Sequence, residues 1–330
     1  MRRIFTFFFL FIVGISNAQA LDFPISRPNV NEGATKVWVS YFIIDIEDID
    51  NKGQSFTLDM IIRLKWNDPR LPGSEALIPL NSIWNPNVQI FNLRDVQTRF
   101  QEKVSVNSDG IVEYKQRYYA TLSSPLDFKD FPFDIQTLPV SLMAFGFTPD
   151  EVELVFETAG NADKYSISGW DIVPIGAKNT DVKASLFNDS SEEIIRPKLD
   201  YSFQATRYIH YYWWKVLAPL MVILFLSWAV FWIDPSQVGA QIGVSGTSIL
   251  TLIAFLLRLE NFLPPVSYLT HMDHFVFTSL VLVFFAYVEA LISTTYALKG
   301  KLKFAHKLDM TFRIMYPLIF AIVIFIYWVK

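Results

Sequence analysis

Four mostly apolar stretches, at 213–233, 238–259, 275–296 and 310–329, dominate the last part of the chain. Each has the about 20 residues that an α-helix needs to cross roughly 30 Å of hydrocarbon. Lipid offers no partner to an unpaired backbone N–H or C=O, so such segments must satisfy their own hydrogen bonds as helices. Four crossings are therefore expected, and the rest of the chain has to be arranged around them. The composition agrees: 52% of residues are hydrophobic, 16% aromatic and only 18% charged, less charge than a soluble globule carries. A net charge of −4 without a clustered basic face argues against nucleic acid as a partner.

The residues before these stretches follow another rule. From Leu21 to Arg207 the chain is polar and rich in turn residues, and runs such as 36–44 and 56–66 alternate in part and favour β-branched and aromatic side chains. Asn51-Lys52-Gly53 and Asp109-Gly110 between such runs are hairpin signals. With no long amphipathic helix, this rhythm predicts an all-β, immunoglobulin-like sandwich over 21–207, followed by an all-α, four-helix membrane domain over 208–330. Arg2 and Arg3, an apolar run over 4–15 and Ala18-Gln19-Ala20 read as a removable export signal over 1–20, the run being short for a membrane anchor. The chain has no cysteine, which excludes thiolate metal sites and cysteine nucleophiles and leaves the exported domain to be held by its core.

An outside first domain and four crossings put the C-terminus outside as well. The link between the third and fourth helices then faces the cytoplasm, and it carries Lys299, Lys301, Lys303, His306 and Lys307, as positive-inside bias requires. Tyr211, Tyr212, Trp213 and Trp214 suit an interfacial belt. The second helix is unusual in being rich in Gly, Ser and Thr. Read at three- and four-residue steps, one face presents Gly239, Gly243, Thr247, Leu250, Ala254, Leu257 or Arg258, and Asn261. Small residues also let helices pack closely, so the pattern alone fits tight packing as well as a pore wall. Around an axis of several copies, the stripe would line a water-filled pore with a hydrophobic constriction at Leu250.

The segment Ser124 to Leu138, with Phe131-Pro132-Phe133-Asp134-Ile135-Gln136 at its centre, resembles the signature loop of the pentameric ligand-gated ion channels, the Cys-loop receptor family. Ser124 and Leu138 stand where the family's cysteines would be, as in bacterial members. Trp66-Asn67-Asp68, Trp84-Asn85-Pro86, Gly169-Trp170-Asp171, Arg207, Pro219, Ile249-Leu250-Thr251 and Pro264-Pro265 follow in the family's order.

The resemblance implies a homopentamer in a bacterial inner membrane, with the sandwich and the C-terminus in the periplasm. It assigns coupling between the domains to Asp48, Asp50, Pro132, Asp134, Arg207 and Pro264, with Asp134 and either Asp48 or Asp50 as anionic partners for Arg207. By position, the agonist site takes Phe91, Phe145, Phe147 and Phe187, and Glu192 lies on its capping loop. Aromatic boxes suit organic cations, although Ile61 occupies a complementary position often held by Trp. Protons are the alternative trigger, through junction carboxylates or through His271 and His274. Ala240 replaces the glutamate of many cation-selective relatives. The remaining mouth charges are Asp234, Arg258 and Glu260; rings of Asp234 and Glu260 favour cations, and Arg258 opposes them if it faces the pore.

The partners implied are thus further copies of the chain, membrane lipid, permeant monovalent cations and a small agonist or protons, with no cofactor. An enzyme is disfavoured because all four histidines follow position 207 and no phosphate-binding glycine loop precedes a helix. A single-anchor binding protein would not need four crossings, and a transporter would usually show internal repeats.

Overall fold

The computed structural model describes residues 23–71, 73–184, 194–259 and 266–328. The expected export signal, Phe187, Glu192, Glu260, Asn261 and Pro264 lie outside the described residues.

The strands are β1 (Thr35–Asp50), β2 (Ser55–Asn67), β3 (Ser74–Pro79), β4 (Val88–Ile90), β5 (Leu93–Thr98), β6 (Lys103–Val106), β7 (Ile111–Ser123), β8 (Ile135–Ala144), β9 (Val152–Asn161), β10 (Trp170–Asn179), β11 (Val182–Ala184), β12 (Ile194–Arg196) and β13 (Lys198–Arg207). One sheet runs β3-β6-β7-β2-β1-β9, with β5 also on β7; the other runs β10-β13-β8-β4. The two sheets bury their facing sides in a common core, giving the expected β-sandwich.

Alternation decides what enters that core. On β2 it turns Phe56, Leu58, Met60, Ile62, Leu64 and Trp66 inward. On β13 the inward set is Leu199, Tyr201, Phe203, Ala205 and, at the membrane end, Arg207. Strand β1 keeps this period less cleanly because its pairing with β2 shifts register between Ile43 and Asp45 and again between Ile46 and Asp48. Aromatic contacts tie the sheets: Tyr41 stacks on Tyr201 at 5.0 Å, and Trp66 meets Trp84 edge-on at 6.2 Å.

Among the described residues, four helices are long and apolar enough to cross a membrane: His210–Trp232, Val238–Leu259, His271–Leu298 and Leu302–Trp328. The third starts with a capping box, in which Asp273 N donates to Thr270 Oγ1 at 3.1 Å and Thr270 N to the Asp273 carboxylate at 2.8 Å. The first opens with a π turn, Trp213–Leu217, just ahead of Pro219. Proline has no N–H to close the preceding α-turn, and this wider turn is one way to absorb that loss. Its exposed Tyr211, Trp213 and Trp214 lie at the domain junction, where amphipathic rings suit the membrane surface.

Candidate functional site

The junction between sandwich and helices is built around one cation. Arg207 ends the inward face of β13, so its guanidinium is delivered to the bottom of the core and is only 5% exposed. Asp134, just before β8, receives it bidentately, Nε to Oδ1 at 2.7 Å and Nη2 to Oδ2 at 2.8 Å. The two strands pair antiparallel from Thr206 opposite Ile135, which brings the two residues together. Trp170 pairs with Arg207 across β10 and β13, and its ring lies 4.0 Å from the guanidinium carbon. Tyr212 Oη accepts from Nη1 at 3.1 Å, linking the cation to the first membrane helix.

The second Nη2 proton of Arg207 goes to Asn51 Oδ1, at 3.1 Å. The expected pairing with Asp48 or Asp50 is therefore corrected. After the shifts in β1 only Ile49 points inward, and Asp48 and Asp50 are exposed; Asp50 instead accepts from Lys52 N within its own turn. The β1–β2 hairpin reaches the junction through an amide, not a carboxylate.

The loop carrying Pro132 lies directly on the helices. Its Phe131–Pro132 bond is cis and Pro132 is buried. Phe128 N donates to Tyr268 Oη at 3.0 Å, and the loop carbonyls of Lys129 and Phe131 accept from His271 N and Met272 N at 3.0 and 3.2 Å. Gln136 Nε2 bonds both Asp134 Oδ2 and Asp127 O at 2.6 Å, so the loop and the arginine are braced together. Where a disulfide would close this loop, Ser124 Oγ donates to Thr137 O at 3.0 Å beside the fully buried Leu138. His271 Nε2 lies 3.6 Å from Asp130, a contact that is ionic only when the imidazole is protonated.

On the second helix, Gly239, Gly243, Thr247, Leu250, Ala254, Leu257 and Arg258 are all exposed on the single chain. Leu250 and Leu257 reach 69% and 62% exposure. The buried residues are Gln241, Ser245, Ser248 and Leu252, on the opposite side. Two small polar residues thus do serve packing: Ser245 and Ser248 donate to carbonyls one turn back and let neighbouring helices approach. Asp234 sits exposed in the turn before this helix. The Ser236 hydroxyl and amide that bond it hold its carboxyl below the usual carboxylate range.

The aromatic residues do not form one compact box among the described residues. Phe91 N bonds Ser141 O, while Phe145 N, just past the end of β8 and four residues beyond Ser141, bonds Asn87 O, about 13 Å away at strand spacing. Phe145 and Phe147 line a 410 Å³ cleft with Ile25, Trp84 and Asn87, and Phe147 packs edge-on against Trp84 at 5.7 Å. Phe91 is exposed, but Lys198 Nζ already lies 5.4 Å from its ring centre while pairing with Asp200 at 2.9 Å. Lys198 belongs to none of the sequence motifs. Its signal was present in Lys198-Leu199-Asp200, where alternation puts both charges on one side of β13.

A sandwich seated through a buried arginine on four membrane helices defines a class of receptor channel, and sequence comparison places the chain in it. The model of the neurotransmitter-gated ion-channel ligand binding domain matches residues 24–209, and that of the neurotransmitter-gated ion-channel transmembrane region matches residues 216–303. The chain belongs to the neurotransmitter-gated ion-channel, or Cys-loop receptor, family, as a multi-pass membrane protein and a ligand-gated channel subunit rather than an enzyme. It is similar to the proton-gated ion channel of Gloeobacter violaceus, 27% identical over 308 residues, which take in 89% of this chain and 83% of that one. It is also similar to the glycine receptor subunit beta of Homo sapiens and of Rattus norvegicus, 29% identical over 287 residues, or 81% of this chain and 56% of those subunits.

Proposed function

We propose that five copies of this chain surround a central, cation-conducting pore lined by the second helix, and that the pore opens when an agonist or protons act on the exported domain. The observation that carries this reading is the continuous outward stripe from Gly239 to Leu257. A membrane helix that leaves Thr247, Leu250 and Leu257 uncovered while burying Gln241, Ser245 and Ser248 packs one polar face inside the subunit and leaves a bare face for an axis. Leu250 is then the constriction that gates by dewetting. Asp234, ionised in its turn below the helix, supplies a ring of negative charge at the cytoplasmic mouth and so favours cations. Opening is transmitted through Arg207, Asp134, Asn51 and the Pro132 loop to Tyr268, His271 and the connection that contains Pro264. The sandwich and the C-terminus are periplasmic in this reading, with the membrane the bacterial inner one and residues 1–20 the export signal.

The trigger is narrowed by Lys198. An organic cation seeking Phe91 would have to displace the chain's own ammonium, which favours protons or an agonist that pairs with Lys198. Current through the purified protein in a planar bilayer, under a salt gradient, tests the proposal. Gated current reversing near the cation potential supports it. Reversal near the anion potential would overturn the selectivity, and silence at every pH and with every candidate agonist, from assembled protein, would overturn the channel.

A further inference from the structure

Deep between the third and fourth helices, two carboxyls face each other without a donor to share. Glu289 is 2% exposed and Asp309 is fully buried, and their side chains lie within hydrogen-bonding reach. Asp309 Oδ1 accepts from Ser293 Oγ at 2.7 Å. Asp309 Oδ2 and both oxygens of Glu289 find no hydrogen-bond partner among the described residues. The second helix brings a further group: Gln241 is fully buried, and neither its Nε2 nor its Oε1 is bonded among the described residues. Gly246 of that helix lies against Tyr287. The second and third helices cross in opposite directions, so five residues before Gly246, Gln241 falls level with the turns that carry Glu289 and Ser293.

The surrounding charges do not compensate the pair. On the fourth helix, His306 and Lys307 are exposed, and Arg313 gives its Nε proton to Phe231 O at 2.8 Å and lies over Trp232. On the third, Tyr287 and Tyr296 are the flanking titratable groups, and Tyr296 is engaged with Phe304 and Lys301. The second helix has no ionisable residue before Arg258 at its far end, and the first has none from Ala218 to Trp232. Asp234, in the turn that follows, is exposed and bonded to Ser236. Two ionised carboxylates touching in such a place would combine desolvation with like-charge repulsion, and no cation pairs with either among the described residues. A single proton between them removes one charge and gives two of the orphaned oxygens a hydrogen bond.

We infer that Glu289 and Asp309 form an intramembrane proton-binding site, in which one proton shared by the two carboxyls ties the fourth helix to the third. The site is separate from the agonist region and from the Arg207 junction. It does not depend on which ion the channel conducts.

The test is infrared spectroscopy of the full chain, purified in a detergent without ester carbonyls. At neutral pH the native protein is expected to show a protonated-carboxyl C=O band that shifts in heavy water and is lost in the E289Q/D309N double variant. Identical carbonyl regions in native and double-variant protein would overturn the site. If the double variant does not assemble, alkaline titration of the native protein serves instead: the band bleaches as the shared proton leaves, and a native protein with no such band at neutral pH overturns the site. Melting temperature adds a structural readout. Above about pH 5 the folded pair holds a proton that the unfolded chain has released, so native stability falls as pH rises until the site deprotonates. The single variant E289Q should lose that slope; an unchanged slope in E289Q counts against the shared proton.

Discussion

Arg207 is matched on every side: a carboxylate in bidentate contact, an amide, a phenol and a tryptophan face. Removing one partner of a buried ion pair leaves the other uncompensated and costs about 3–5 kcal/mol. Arg207→Ala is therefore expected to lower thermal stability by that order in a detergent melt. Arg207→Lys keeps the charge but loses the fork and the stacking on Trp170, so it should assemble and yet gate poorly. Native-like currents from Arg207→Lys would remove the junction from the gating path. Asp127 gives a pH prediction. The Lys129 amide and ammonium and the Tyr268 hydroxyl hold its carboxyl below the usual range. The ionised form therefore favours the fold, and its contribution is present above about pH 4 and lost only as pH falls further. Asp127→Asn should leave the midpoint of any acid-driven current between about pH 5 and pH 7 unshifted. A clear shift would make Asp127 part of the sensor.

Among the elements, the second helix has two faces that make opposite predictions. Leu250 is bare and Leu252 is fully buried, only two residues apart. Leu250→Ser should wet the constriction and raise the current without agonist while leaving assembly intact. Leu252→Ala should instead cost about 2–5 kcal/mol of stability, because it leaves a cavity between helices. If both variants only destabilise, the stripe is a packing surface and the axis lies elsewhere. The fourth helix is held differently along its length. Its N-terminal half is tied by Ser293 to Asp309, Trp228 to Arg313 O and Arg313 to Phe231 O, whereas toward its C-terminal end contacts such as Phe275 with Phe320 are apolar.

For the whole molecule, the proposed pore requires neighbours. Mass measurement in detergent should give close to five times the mass of one chain, and a monomer or dimer would contradict the pore. In the assembled channel, Asp234→Asn removes one charge per subunit from the proposed mouth ring, so the reversal potential under a salt gradient should move toward zero. An unmoved potential would assign selectivity to another ring.

Length and apolarity alone determined the four crossings, since hydrocarbon leaves an unpaired backbone no alternative to the helix. Period-two alternation likewise settled that the N-terminal part is a sandwich, because facing sheets must each bury one side. The motif order brought Asp134, Arg207 and the Pro132 loop together before any contact was visible. Helical spacing drew the stripe from Gly239 to Leu257 correctly as one face, but it could not say whether that face was covered. The choice of Asn51 over Asp48 or Asp50 depended on two register shifts in β1, which move side chains between faces and leave no mark in composition. Lys198 over Phe91, and the meeting of Glu289 with Asp309, join residues distant in the chain. Only the packing of strand on strand and helix on helix decides which side chains share so small a space, and with it which charges find a partner.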